Sequence, residues 1–320
     1  MEIKQGIRRN FARRAASYDR HAAVQRFMAQ ELLRRADEAA AGAGRILEIG
    51  CGTGYLTEQL RRTNPQALVV ALDLDPVLVQ RARERLGLDP KVAWVVADAE
   101  AWGGRGAFDL VIANATFQWL TQPEAALAAC YQSLKPGGTL AFSSLGPRTF
   151  QELGVSLATA AGSLGMAAAP AIPAQSFLDP EAWTRLLNQA GFGQIDLLRK
   201  QLTVSFPSVV QFLKDLQATG ATNPRPRPFS PRLLRAFTAI YKSMYGSNGS
   251  IPATYEIIWA AAQKPQHEVA LAGCRLPEYV KGHPQEFKQK FISLKKTLTL
   301  INFCCNFADL GGLFNVQPLN

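Results

Sequence analysis

The sequence has little of what marks several protein classes. Its five cysteines, Cys51, Cys130, Cys274, Cys304 and Cys305, show no paired spacing for a metal or a redox couple, and vicinal Cys304 and Cys305 do not bridge each other within ordinary geometry. No metal site is expected. No apolar run approaches the roughly 20 residues of a membrane span, and no secretory apolar core is present. A reducing cytoplasm is therefore the expected compartment, with no membrane partner. Blocks of like charge are missing as well. The 35 Lys and Arg outnumber the 25 Asp and Glu, for a net charge of +10, but the basic residues are scattered. No nucleic-acid partner is expected, and the excess implies either an acidic partner or substrate or simply a well-solvated surface.

What is present is a chain of 320 residues, 48% hydrophobic, long enough for one large domain or one with a small addition. It is organised around Arg45-Ile46-Leu47-Glu48-Ile49-Gly50-Cys51-Gly52-Thr53-Gly54-Tyr55. Apolar residues suited to a buried parallel strand run into alternate glycines, and an amphipathic segment follows. Glycine is needed where backbone bends sharply and approaches a ligand. A dinucleotide fingerprint would place its third glycine where Tyr55 stands. The acid just before Gly50 suits a cationic ammonium better than a pyrophosphate. Glu48, Gly50, Gly52 and Gly54 therefore point to S-adenosylmethionine rather than NAD, the alternative being a glycine-rich turn with no ligand.

From Arg45 the pattern alternates strands, at 45–49, 68–72, 92–96, 108–113 and 138–144, with helical segments. Only crossovers of that length return a strand parallel to its neighbour, so the fold class is α/β with a doubly wound, mostly parallel sheet. Ligands on such sheets bind beyond the carboxyl ends of the strands. There stand Asp73 and Leu74, about twenty residues past the glycine bend, where a carboxylate can take both ribose hydroxyls of an adenosine. Asp98 and Ala99 follow the third strand, with Asp98 either an acceptor for the adenine amino group or a helix cap. Asn114, Phe117, Gln118 and Trp119 follow the fourth, placing an amide and two aromatics over the cofactor unless the rings are core.

The arginine-rich N-terminus reads either as a transit leader or, because Tyr18, Asp19 and His21 fall together, as a helical lid over the cofactor. A helix with apolar Val24, Phe27, Met28, Leu32 and Leu33 follows, and residues 1–40 are taken as the lid region. Residues 133–138 read as a turn, and 146–176, small and alanine-rich, as a mobile helical insertion. Asp179 and Pro180 begin a helix, 194–206 is a returning strand, a helix surrounds 212–216, Arg225 and Arg227 lie in a stiff basic loop, and Tyr255 begins a last core strand. After Gln263 the composition changes, and 264–320 reads as an appendage of unknown role.

These segments resemble the class I S-adenosylmethionine-dependent methyltransferases, whose sheet is seven-stranded and Rossmann-like. More narrowly, the chain resembles the biotin-pathway malonyl-carrier-protein O-methyltransferases. The likeness is carried by Phe11 to Gln25 with Tyr18, Asp19 and His21, by Glu48 to Gly54, by Asn114 with Gln118-Trp119-Leu120, by Thr149-Phe150 with Glu152-Leu153, by Leu216 with Gly220-Ala221, and by Ile251-Pro252 with Thr254-Tyr255-Glu256. It covers residues 8 to about 263 and is not extended to the tail. It implies methyl transfer from S-adenosylmethionine to the free carboxylate of a malonyl thioester, malonyl-acyl-carrier protein or malonyl-CoA, giving the ester that primes pimeloyl synthesis for biotin. Tyr18 and His21 on the lid, with Gln118 and Trp119 beneath, would enclose the reaction. Lys214 and Arg148 are candidates to hold the substrate carboxylate, and Arg225 and Arg227 to dock a carrier. Another small carboxylate or a quinone precursor as acceptor, or a non-catalytic protein that retains the cofactor fold, stands as the alternative.

Overall fold

A computed structural model describes residues 2–221 and 229–266. Three helices lead the chain: α1 (Glu2–His21), α2 (Ala23–Arg35) and α3 (Asp37–Ala41). Of the expected lid region only α1 borders the cleft described below. The α2 helix buries Val24, Met28, Ala29 and Leu32, and the Trp259 indole donates to the Met28 carbonyl at 3.0 Å, so α2 belongs to the core.

The strand β1 (Arg45–Ile49) buries Ile46, Leu47, Glu48 and Ile49 in succession, as a central parallel strand covered on both faces must. After it come α4 (Tyr55–Thr63), β2 (Leu68–Asp73), α5 (Pro76–Leu86), β3 (Val92–Val96) and β4 (Phe108–Ala113). Then follow α6 (Pro123–Ser133), β5 (Leu134–Leu145), α7 (Gln151–Ser163), α8 (Pro180–Gln189), β6 (Gly193–Phe206), α9 (Val209–Ala218), α10 (Pro231–Tyr245) and β7 (Ile251–Gln263). The Asp179 carboxylate accepts from the Ala182 amide at 2.7 Å, capping α8 ahead of Pro180.

The seven strands lie in the order β3-β2-β1-β4-β5-β7-β6. The first five are parallel, and β7 runs antiparallel between β5 and β6. Between β1 and β4 the winding reverses, which opens a crevice beyond their carboxyl ends. Both α/β layers are filled. On one side Phe117, Phe142 and Trp183 pack with ring centroids 4.6, 5.0 and 5.9 Å apart.

Three elements differ from the sequence reading. The expected turn at 133–138 is already strand, because β5 pairs with Phe108 from Leu134 and shifts register before Leu110. The 146–176 segment contains a packed helix, α7, which buries Leu153, Leu157 and Ala160. The α10 helix was not anticipated, although Ser230 and Pro231 supply a cap and a first-turn proline and Leu233, Phe237 and Tyr241 fall on one buried face. Phe142→Ala should lower the unfolding free energy by about 3–5 kcal/mol, measured by urea denaturation of the ligand-free protein.

Candidate active site

The glycine bend after β1 needs its three glycines for three different reasons. At Gly50 (φ +72°) a Cβ would strike the Thr116 side chain, and at Gly54 (φ +85°) it would lie 2.9 Å from the Ala82 Cβ. Gly52 (φ +55°) has no atom within 4 Å of such a Cβ, so its backbone faces open space. The bend is stitched to β2. Gly50 and Cys51 amides donate to the Leu72 carbonyl at 2.7 and 3.0 Å, and the Gly52 amide donates to Asp73 Oδ2 at 2.9 Å. Asp73 Oδ1 accepts from the Asp75 amide at 2.9 Å. Burial pushes the Asp73 carboxyl up to about 6 even though the Asp75 and Gly52 amides favour its ionised form.

Glu48 lies beneath the bend, 1% exposed. Its Oε2 accepts from the Thr57 hydroxyl at 2.6 Å, whereas Oε1 has no hydrogen-bond partner among the described residues. Burial pushes this carboxyl up to about 7, opposed by the Thr57 hydrogen bond and reinforced by the Asp73 charge. Glu48 does not itself border the cleft, and its unpartnered oxygen lies buried behind the bend, where negative charge on it favours a nucleoside that carries positive charge.

The cleft above is about 910 Å³ counted to its mouth, in the range of small-molecule sites. Gly50, Gly52, Asp73, Leu74, Asp98, Ala99, Asn114 and Trp119 border it from the sheet, and Phe11 and Tyr18 from α1. Asn114 is held in place, accepting from the Ser143 hydroxyl at 2.7 Å and donating to the Gln25 carbonyl at 3.1 Å. Trp119 meets Phe11 and Phe177 edge-on at 5.6 and 5.7 Å, and Phe11 meets Tyr18 at 6.3 Å. Burial raises the Tyr18 pKa further, so its phenol stays protonated.

Ion pairs fasten α1 across the cleft. Lys4 Nζ lies 2.5 Å from Asp98 and 2.6 Å from Glu100, and Arg8 lies 3.3 Å from Asp75. Asp19 accepts from the Thr53 hydroxyl at 2.7 Å and from Arg85 at 2.9 Å. Lys4, Arg8, Thr53, Asp75, Glu100 and Thr116 all border the cleft and were not singled out from the sequence. The signal for Lys4 and Arg8 was their spacing of one helical turn on the face that also holds Phe11 and Tyr18.

Several expected site residues stand elsewhere. His21, at the end of α1, turns to α9 and pairs with Asp215 at 3.3 Å. Gln118 spends its amide on its own loop, donating to the Ala115 carbonyl at 2.8 Å. Phe117 is core, 1% exposed, so of the two expected aromatics only Trp119 reaches the cleft. Gly54 caps α4 away from the cleft wall. Arg148 and Lys214 are exposed outside it, Arg148 being held through its backbone amide by Glu256 at 2.8 Å. Asp98 is both of its alternatives at once, bordering the cleft while it accepts from the Glu100 amide at 3.0 Å. Arg225, Arg227 and nearly all of 264–320 lie outside the described residues. Among the described residues no group of three or more His, Cys, Asp or Glu could hold a metal, and no helix is long and apolar enough to cross a membrane.

Residues 46–138 match a family model described as a methyltransferase domain. A malonyl-[acyl-carrier protein] O-methyltransferase of Halalkalibacterium halodurans is 34% identical over 269 residues, 81% of this chain and 98% of that protein. One of the same name from Anoxybacillus flavithermus is 37% identical over 259 residues, 80% and 96%. Among solved structures, the YcgJ protein of Bacillus subtilis matches with a TM-score of 0.52 at 12% identity, over 74% of this chain and 100% of that one, a likeness of fold alone.

The raised Glu48 pKa has a consequence for stability. Against an unfolded value of 4.5, a folded value near 7 means that the native state binds the proton more tightly. Its contribution is present in full below 4.5 and is lost as the pH rises through 7. Glu48→Gln should flatten that loss by about 1–3 kcal/mol, read from denaturation midpoints of the ligand-free protein across the interval.

Proposed function

The chain belongs to the malonyl-[acyl-carrier protein] O-methyltransferase family, and from this premise we propose that it methylates the free carboxylate of a malonyl thioester borne on an acyl-carrier protein, with S-adenosylmethionine as donor. The ester masks the negative charge, so that fatty-acid enzymes can extend the chain toward the pimeloyl unit of biotin. Malonyl-CoA presents the same acceptor group and is the alternative thioester. The buried free thiols Cys51 and Cys130 support a reducing cytoplasm as the compartment.

The cofactor supplies an electrophilic methyl group on a positively charged sulfur. In this reading Asp73 accepts from ribose hydroxyls and Leu74, Ala99 and Asn114 border the nucleoside, a reading supported by their position on the cleft wall, while Glu48, behind that wall, balances positive charge from under the bend. What supports a carboxylate acceptor is that, among the described residues that border the cleft, no carboxylate or imidazole is left without a partner. The carboxylates of Asp73, Asp75, Asp98 and Glu100 are each engaged by backbone amides or by Lys4 and Arg8, and His21 is turned to Asp215. A malonyl carboxylate is ionised at neutral pH and needs no proton removed. A phenolic or amine acceptor would need one removed. The protonated Tyr18 phenol can donate a hydrogen bond that orients an incoming carboxylate, while Phe11 and Trp119 exclude water that would blunt it.

Incubation with S-adenosylmethionine and malonylated carrier protein should add one CH2 unit to the carrier in the mass spectrum. Methylation of malonyl-CoA but not of the carrier would reassign the thioester, and methylation of neither would refute the acceptor. Asp73→Ala should weaken cofactor affinity about 10–100-fold with folding retained, measured by calorimetry alongside circular dichroism.

A further inference from the structure

The α1 helix has two working faces, and only one belongs to the cleft. Lys4, Arg8, Phe11 and Tyr18 border the cavity. Arg9, Arg13 and Arg20 project from the opposite side, exposed to solvent. Their separations of four and eleven residues are about one and about three helical turns, which puts all three on one stripe. Arg8, Arg61, Arg62 and Arg85 each meet a carboxylate. Arg9, Arg13 and Arg20 meet none among the described residues. Beside them α9 packs on α1, through the Ser17 hydroxyl to the Ala218 carbonyl at 3.0 Å and through His21 with Asp215, and it adds the exposed Lys214, which meets no carboxylate among the described residues.

We infer that the Arg9, Arg13 and Arg20 stripe is the docking surface for the acidic helix of the carrier protein that delivers the malonyl group. This partner rests on the acceptor proposed above. Guanidinium groups along one helix match carboxylates along another, and three cations in a row, unpaired among the described residues, are relieved of mutual repulsion when such a partner arrives. A polynucleotide fits less well. The aromatic rings of α1 near the stripe, Phe11 and Tyr18, face the cleft, and the stripe itself offers only exposed Ala16 between its arginines, with nothing for bases to stack on. Because one helix carries the docking charges outside and Tyr18 inside, a docked carrier presses the lid onto the site that its arm enters.

The test is the triple variant Arg9→Glu, Arg13→Glu and Arg20→Glu, assayed with malonyl-carrier protein and with malonyl-pantetheine, which has the arm but no protein. For the carrier substrate KM should rise on the order of tenfold with kcat little changed, and the rise of the wild-type KM with salt should flatten. Turnover of malonyl-pantetheine and affinity for S-adenosylmethionine should match the wild type. Equal losses on both substrates, or an unchanged KM for the carrier, would overturn the assignment. So would a double-stranded oligonucleotide that binds the wild type more tightly than the carrier does and is lost in the variant. Calorimetric binding of the unloaded carrier separates the two proposals. If it binds the wild type and not the variant while no ester forms on any malonyl thioester, docking stands and the acceptor falls. If ester forms equally in both proteins, the acceptor stands and the docking surface falls.

Discussion

Two carboxylates of the same sign buried at the ends of neighbouring parallel strands are the constraint on which this site is built. Register pairs Glu48 with Ala71 and Ile49 with Leu72, which brings Asp73 against the bend that follows Glu48. Burial in low dielectric disfavours both charges, and the Asp73 charge raises the Glu48 pKa further. Backbone amides from Gly52 and Asp75 offset that cost at Asp73, and the Thr57 hydroxyl offsets part of it at Glu48. One Glu48 oxygen is left over. On the proposed reading a cationic ligand offsets that charge from across the glycine bend, whose open backbone at Gly52 lets the ligand come near.

The same logic extends outward in a second layer of charge. Asp75, Asp98 and Glu100 border the cleft and are countered by Arg8 and Lys4 from α1. A helix laid over an acidic cleft is thus held by ion pairs at its ends and by Phe11 against Trp119 in its middle, and the aromatic contact is the part that shuts out water. Placing α1 there also dictates what its far side can do, since a helix that seals a site on one face presents the other to whatever delivers the substrate.

Much of this was legible in the sequence wherever local chemistry determines position. The parallel strands, the bend and the acids at strand ends are set by runs of buried residues and by backbone needs, which composition exposes directly. Side-chain direction is another matter. Tyr18 and His21 are three residues apart on one helix, and both looked like lid groups, but α9 captures His21 through Asp215, a contact 194 positions along the chain. Gln118 and Trp119 are adjacent, and a tight 3-10 turn sends one into its own loop and the other into the cleft. Lys4 and Arg8 were lost among scattered arginines because only the folded lid shows which cations face acids. The α10 helix went unseen because its pattern follows a proline-rich stretch that reads as loop.

The central claim, that a buried acid pair awaits a cationic nucleoside, is tested most directly by counting protons during cofactor binding. Titration of S-adenosylmethionine at about pH 6.5 in two buffers of different ionisation heat should show net proton release, because the ligand's positive charge ionises Glu48. Binding without proton exchange, or with proton uptake, would contradict it.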